Sequence, residues 1–139
     1  MSLSGENAAT GRCLCGSFHF VAHGEPLTCV YCHCVDCRIS SGAPVSALVG
    51  YDAEKVEYTG DEPKKYQSSE TVTRAFCGTC GGTVSYEDEL LPGEIYLHAG
   101  LFDEPDRLAP TVHSWHSQAV SWLSIDDGLP RHEKSSKPR

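Results

Sequence analysis

The sequence predicts a mainly β, antiparallel domain with little helix, and three observations carry that reading. Short runs alternate apolar and polar residues, glycine and proline punctuate those runs, and no long stretch repeats with the helical period. Met1 to Arg12 is polar and rich in small residues, so residues 1–12 read as a flexible leader. After a first cysteine pair, Phe18, Phe20 and Ala22 alternate with His19, Val21 and His23 and predict a strand. Further strands are expected at Leu27 to Tyr31, Val45 to Tyr51, Val56 to Thr59, Lys65 to Ser68, Val72 to Phe76, Gly82 to Tyr86 and Glu94 to Ala99. Gly24, Gly42, Gly60, Gly78 and Pro92-Gly93 supply the turns between them. Asp36 to Ser41 and Asp103 to Leu108 are each long enough for one helical turn. A chain of 139 residues buries one core rather than two, which places a single domain at residues 13–130 and leaves 131–139 as a polar tail.

Composition excludes several classes of partner. A formal charge of −8 and a pI near 5.2 repel phosphate backbones, and no basic stripe offsets them, so no nucleic acid is expected. The longest apolar run, Val45 to Val49, falls far short of the roughly 18 residues a membrane span needs, so no membrane is expected either. The first residues lack the basic start and apolar stretch of a secretory signal, and a cytoplasmic protein is expected.

The eight cysteines lie at 13, 15, 29, 32, 34, 37, 77 and 80. In a reducing compartment such spacing favours metal over disulfides. Cys13-Leu14-Cys15-Gly16 and Cys77-Gly78-Thr79-Cys80-Gly81 are knuckles in which glycine lets the backbone turn two sulfurs toward one point. Four thiolates from two knuckles make a closed tetrahedral zinc site, the kind that contributes folding energy. Cys32, Cys34 and Cys37 place three sulfurs in one short loop and leave the fourth position of a zinc ion to water, a substrate or a distant residue. Three thiolates outweigh the charge of one Zn²⁺, and such a centre favours a soft ligand; a thiol entering it is deprotonated and becomes a usable nucleophile. Two zinc ions per chain are therefore expected, one structural and one catalytic.

Three neighbouring residues leave alternatives open. His33 either serves the centre or is merely solvated or bonded to backbone, and Arg38 either pairs with negative charge at the centre or lies on the surface. In a continuous strand Cys29 faces away from Cys32, which makes it a small buried hydrophobe. Alternatively, Cys29-x-x-Cys32 is a knuckle whose extra thiolate closes the second site.

The order Cys13-x-Cys15-Gly16, then Cys32-His33-Cys34-x-x-Cys37-Arg38, then Phe76-Cys77-x-x-Cys80-Gly81 resembles the glutathione-dependent formaldehyde-activating enzyme family, which includes the centromere protein V domains. Leu97 to Phe102, His113-Ser114-Trp115 and Trp122 through Pro130 are similar to its closing pattern, so the resemblance runs from about Gly11 to His132. It implies a β-tent fold, a structural zinc on Cys13, Cys15, Cys77 and Cys80, and a second, catalytic zinc on Cys32, Cys34 and Cys37. It also implies a carbon–sulfur lyase that condenses glutathione with formaldehyde to S-hydroxymethylglutathione, with a small thiol and an aldehyde as partners. The family's centromeric branch keeps a second class in play, a non-catalytic, zinc-stabilised binding module.

Overall fold

The computed structural model describes residues 7–137. Strand β2 (Phe18–His23) follows the alternation of its sequence: Phe18, Phe20 and Ala22 are buried while His19 and His23 are exposed. It lies between β1 (Ala8–Arg12) and β5 (Val56–Gly60) in a three-stranded antiparallel sheet. The other strands are β3 (Thr28–Cys32), β4 (Ser46–Asp52), β6 (Lys64–Gln67), β7 (Val72–Phe76), β8 (Thr83–Asp88), β9 (Glu94–His98) and β10 (Val112–Ser114). They form a seven-stranded sheet in the order β10-β3-β4-β9-β8-β7-β6. The one α-helix among the described residues, α1 (Val35–Ser41), follows β3. No helix among the described residues is long and apolar enough to cross a membrane.

Four expectations need correction. Ala8 to Arg12, expected in a leader, form β1 with Ala8 opposite His23 and Arg12 opposite His19; residues 1–6 of that leader lie outside the described residues. Small side chains gave this strand no apolar alternation to read, yet Gly11 makes it fit. A Cβ there would run into the Phe20 ring and the Leu101 carbonyl. The larger sheet is not wholly antiparallel, because β10 returns alongside β3 in parallel, with Val112 opposite Val30 and Ser114 opposite Cys32. Residues 131–137, expected in a tail, are tied along β10: the His132 N–H donates to His113 O at 2.9 Å and the Trp115 N–H to Lys134 O at 2.8 Å. The turn expected at Asp103 to Leu108 is a 3-10 turn over Pro105–Leu108, since a proline start and four residues leave no room for an α-helical ladder.

Two apolar clusters cover opposite faces of the larger sheet. One, between the sheets, gathers Phe18, Phe20, Val49, Tyr51, Leu97 and Phe102, with Phe20 and Phe102 edge to face at 5.0 Å. The other gathers Val30, Cys32, Cys37, Leu48, Tyr86 and Tyr96. Cys29 belongs to the first and Cys32 to the second, because residues three apart in one strand face opposite ways.

Replacing Gly11 with Ala is expected to lower stability by about 1–3 kcal/mol through overpacking against Phe20. Gly100→Ala, where a Cβ meets nothing within 4 Å, is expected to change it by under about 0.5 kcal/mol. Urea unfolding of the two variants checks the contrast, and equal midpoints would show that Phe20 does not need the space.

Candidate metal centres

The β1–β2 connection turns at Gly16, whose φ of 76° suits glycine, and the Gly16 N–H donates to Cys13 O at 3.1 Å. The β7–β8 connection repeats the device. Its Cys77 N–H donates to Gly82 O and the Gly81 N–H to Cys77 O, both at 2.9 Å, with Gly81 at φ 77°. These turns bring the sulfurs of Cys13, Cys15, Cys77 and Cys80 within 4.8 Å of one another, with Cys13 to Cys15 at 3.5 Å and Cys15 to Cys77 at 3.6 Å. A zinc–sulfur bond of about 2.3 Å puts tetrahedral sulfurs about 3.8 Å apart, so the four-sulfur set fits a zinc ion. The knuckle already favours thiolate. The N–H groups of Cys80 and Thr79 each donate to Cys77 Sγ at 3.4 Å, and the Ser17 hydroxyl lies 3.2 Å from it. The Cys80 N–H, then Ser17 and Thr79, hold the Cys77 thiol down to about 5.

The second cluster forms where β3 gives way to α1. Cys32 ends the strand on the face of Leu48, Tyr86 and Tyr96. Cys34 caps the helix with extended backbone, its sulfur accepting the Cys37 N–H at 3.3 Å. Cys37 is buried in the first turn, and Gly42 at φ 73° ends the helix with its N–H on Arg38 O at 2.9 Å. The sulfurs of Cys32, Cys34 and Cys37 lie within 4.8 Å of one another, which fits three corners of a tetrahedron. The thiols of Cys32 and Cys37, then the Cys37 N–H and Arg74, pull the Cys34 thiol down, while contact with Cys34 and Cys37 and burial push Cys32 up.

A cavity of about 300 Å³ opens beside these three sulfurs, walled by Arg74, Tyr86, Asp88, Trp115 and Gln118. Cys29 is buried on the opposite face of the sheet and belongs to neither sulfur group. Trp115 is held at φ 56°, a left-handed backbone unusual for a bulky residue, and Gln118 reaches back to accept the Val35 N–H at 2.8 Å.

His33 is buried and faces β10 rather than the cavity. Its Nε2 lies 2.8 Å from His113 Nδ1, and His113 Nε2 lies 2.9 Å from Asp127 Oδ2. A carboxylate can only accept, so His113 Nε2 carries its proton and His113 Nδ1 accepts from His33. Burial, then His113 and His116, push His33 down to about 4, so it is neutral at pH 7. The chain His33–His113–Asp127 anchors the cysteine loop to β10. Among the described residues Arg38 makes no ion pair; the cation at the cluster is Arg74, whose Nη1 and Nη2 each lie 3.8 Å from Cys37 Sγ. Sequence reasoning missed Arg74, Tyr86 and Ser17 as neighbours of sulfur. A strand arginine 37 positions from its cysteine gives no local signal.

Residues 8–118 match the family model for glutathione-dependent formaldehyde-activating enzymes. No curated protein matches the chain. Among solved structures, a crystal structure of a Rhodobacter sphaeroides protein is similar in fold, with a TM-score of 0.57 and 17% identity over 88% of this chain and 99% of that one.

The four-sulfur geometry predicts that Cys80→Ser releases one equivalent of zinc and lowers the melting temperature by at least about 10 °C, an effect on the scale of losing a structural metal. Metal analysis with calorimetric melting checks it, and a variant that keeps both zinc content and melting temperature would contradict it.

Proposed function

The chain belongs to the glutathione-dependent formaldehyde-activating enzyme family, and from that membership we propose that it is a zinc-dependent carbon–sulfur lyase joining a glutathione-like thiol to a small aldehyde at Cys32, Cys34 and Cys37. The observation that carries the proposal is a three-sulfur cluster that faces a cavity of about 300 Å³ while Cys29, the nearest other thiol in sequence, lies across the sheet. In this reading Cys13, Cys15, Cys77 and Cys80 hold the structural ion, and the reducing cytoplasm is the compartment that keeps all these thiols available.

Cys32, Cys34 and Cys37 would hold a zinc ion, which would supply a soft Lewis acid able to keep an incoming thiol deprotonated at neutral pH. The protein's own residues do the rest. The Arg74 N–H groups aimed at Cys37 Sγ offset the excess negative charge of three thiolates. Tyr86 and Trp115 wall the cavity with aromatic surface against which the electrophile can pack. The substrate sulfur donates an electron pair to the aldehyde carbon and the carbon–sulfur bond forms. The carbonyl π pair moves to oxygen, which takes up the proton the thiol lost. Thiol plus aldehyde gives a hydroxymethyl thioether with no oxidant or reductant, and the reverse reaction is the lyase direction.

Replacing both zinc ions with cobalt tests the reading. Saturating glutathione is expected to change the thiolate-to-cobalt absorption in the native protein and to leave it unchanged in Cys34→Ser. With ¹³C-formaldehyde, the zinc protein is expected to speed appearance of the S-hydroxymethyl resonance over the uncatalysed rate. A native cobalt spectrum indifferent to glutathione would overturn the proposal.

A further inference from the structure

His33 stands between two of the three clustered sulfurs. Cys32 and Cys34 send their side chains to the cluster, and the residue between them turns the other way, against β10. Two contacts hold it there: its backbone N–H donates to Ser114 O at 3.0 Å, and its ring Nε2 meets His113 Nδ1 at 2.8 Å. Its ring Nδ1 is buried with no hydrogen-bond partner among the described residues, so the contact at Nε2 is the hydrogen bond that orients the ring. The His113 ring is fully buried, stacked on Tyr31 at 4.9 Å and on His33 at 5.0 Å, and its Nε2 meets Asp127 Oδ2 at 2.9 Å. Asp127 is fixed in turn, its Oδ1 accepting from the Leu129 N–H at 3.0 Å and from Arg131 Nη1 at 2.9 Å. It lies outside residues 8–118, the part of the chain that matches the family model. A carboxylate accepts and does not donate, so it selects one tautomer at each ring in turn. His113 carries its proton on Nε2 and presents a lone pair at Nδ1, which requires His33 to carry its proton on Nε2.

We infer that Asp127 is a positioning residue for the three-sulfur centre: through His113 it fixes the tautomer and orientation of His33, and so holds the Cys32 and Cys34 sulfurs at the spacing a metal ion needs. The inference rests on the proposed metal centre at Cys32, Cys34 and Cys37. A His33 ring free to turn lets the peptide units on either side of it rotate, which moves two of the three sulfurs at once. Cys37 is placed separately, by the first turn of α1. Cys13, Cys15, Cys77 and Cys80 belong to the turns after β1 and β7, so the effect is confined to one centre. Hydrogen-bonding partners one step removed from a metal commonly change its affinity about 10- to 100-fold.

Zinc transfer from the fully loaded protein to a chromophoric chelator reads both centres. Asp127→Ala is expected to weaken zinc binding at the second centre about 10- to 100-fold and to leave the four-sulfur centre within about twofold of native. Arg131→Gln is the control: it removes one partner of Asp127, leaves the carboxylate on His113, and is expected to release zinc as the native protein does. The ring ¹⁵N resonances of the native zinc protein give a second reading. His33 and His113 are both expected as the Nε2–H tautomer, with His33 losing that preference in Asp127→Ala. Native affinity at both centres in Asp127→Ala, equal loss from both, or an equal effect of Arg131→Gln would overturn the inference and leave the proposed function standing. If Asp127→Ala fails to fold, the native resonances decide: His33 protonated at Nδ1, or a doubly protonated His113, would overturn it. A native protein that binds only one zinc ion would overturn this inference and the proposed function together.

Discussion

The rest of the structure depends on four sulfurs meeting between two sheets. Cys13 and Cys15 leave the three-stranded sheet after β1, Cys77 and Cys80 leave the seven-stranded sheet after β7, and Cys15 and Cys77 are 62 positions apart. A metal ion shared by the four would close that loop, removing unfolded-chain entropy worth about a few kcal/mol, and would fix where β7 enters its turn. Arg74 stands three residues before Cys77 on that strand, so such a clip would also fix the strand that carries the guanidinium to Cys37.

The larger sheet separates two kinds of chemistry by its pleat. Its inner face packs on the small sheet with aromatic and aliphatic side chains, and the buried Cys29 thiol behaves there as one more apolar group, its pKa pushed up by burial so that it stays protonated. Its outer face carries Cys32 and Cys37 beside Tyr86 and Tyr96, stacked at 5.1 Å, and remains open to solvent through the cavity. The same alternation that buries a core therefore divides eight cysteines into seven that gather and one that does not.

Much of this was legible in the sequence, and the reasons differ by residue. Strands with large alternating side chains, such as Phe18 to His23 and Val72 to Phe76, declared themselves, and the cysteine spacing named both sulfur groups. The first strand stayed hidden because Ala8, Ala9 and Gly11 carry no contrast in size or polarity. β10 stayed hidden because its middle residue, His113, is polar and yet fully buried, its ring nitrogens satisfied by His33 and Asp127. The ordered segment after Pro130 reads as polar because its contacts to β10 run largely through backbone groups, which any sequence can supply. Arg74, Ser17 and Tyr86 became visible as neighbours of sulfur only when the fold brought distant strands together.

The account stands on the difference between one closed and one open sulfur centre in the same chain. Zinc-edge X-ray absorption on the fully loaded protein measures that difference directly as the mean number of sulfurs per zinc. Four sulfurs at one ion and three at the other predict a mean of about 3.5 without added thiol, rising toward about 4 when glutathione is present. A mean of about 4 before any thiol is added would mean that both centres are closed by the protein itself, and would contradict the account.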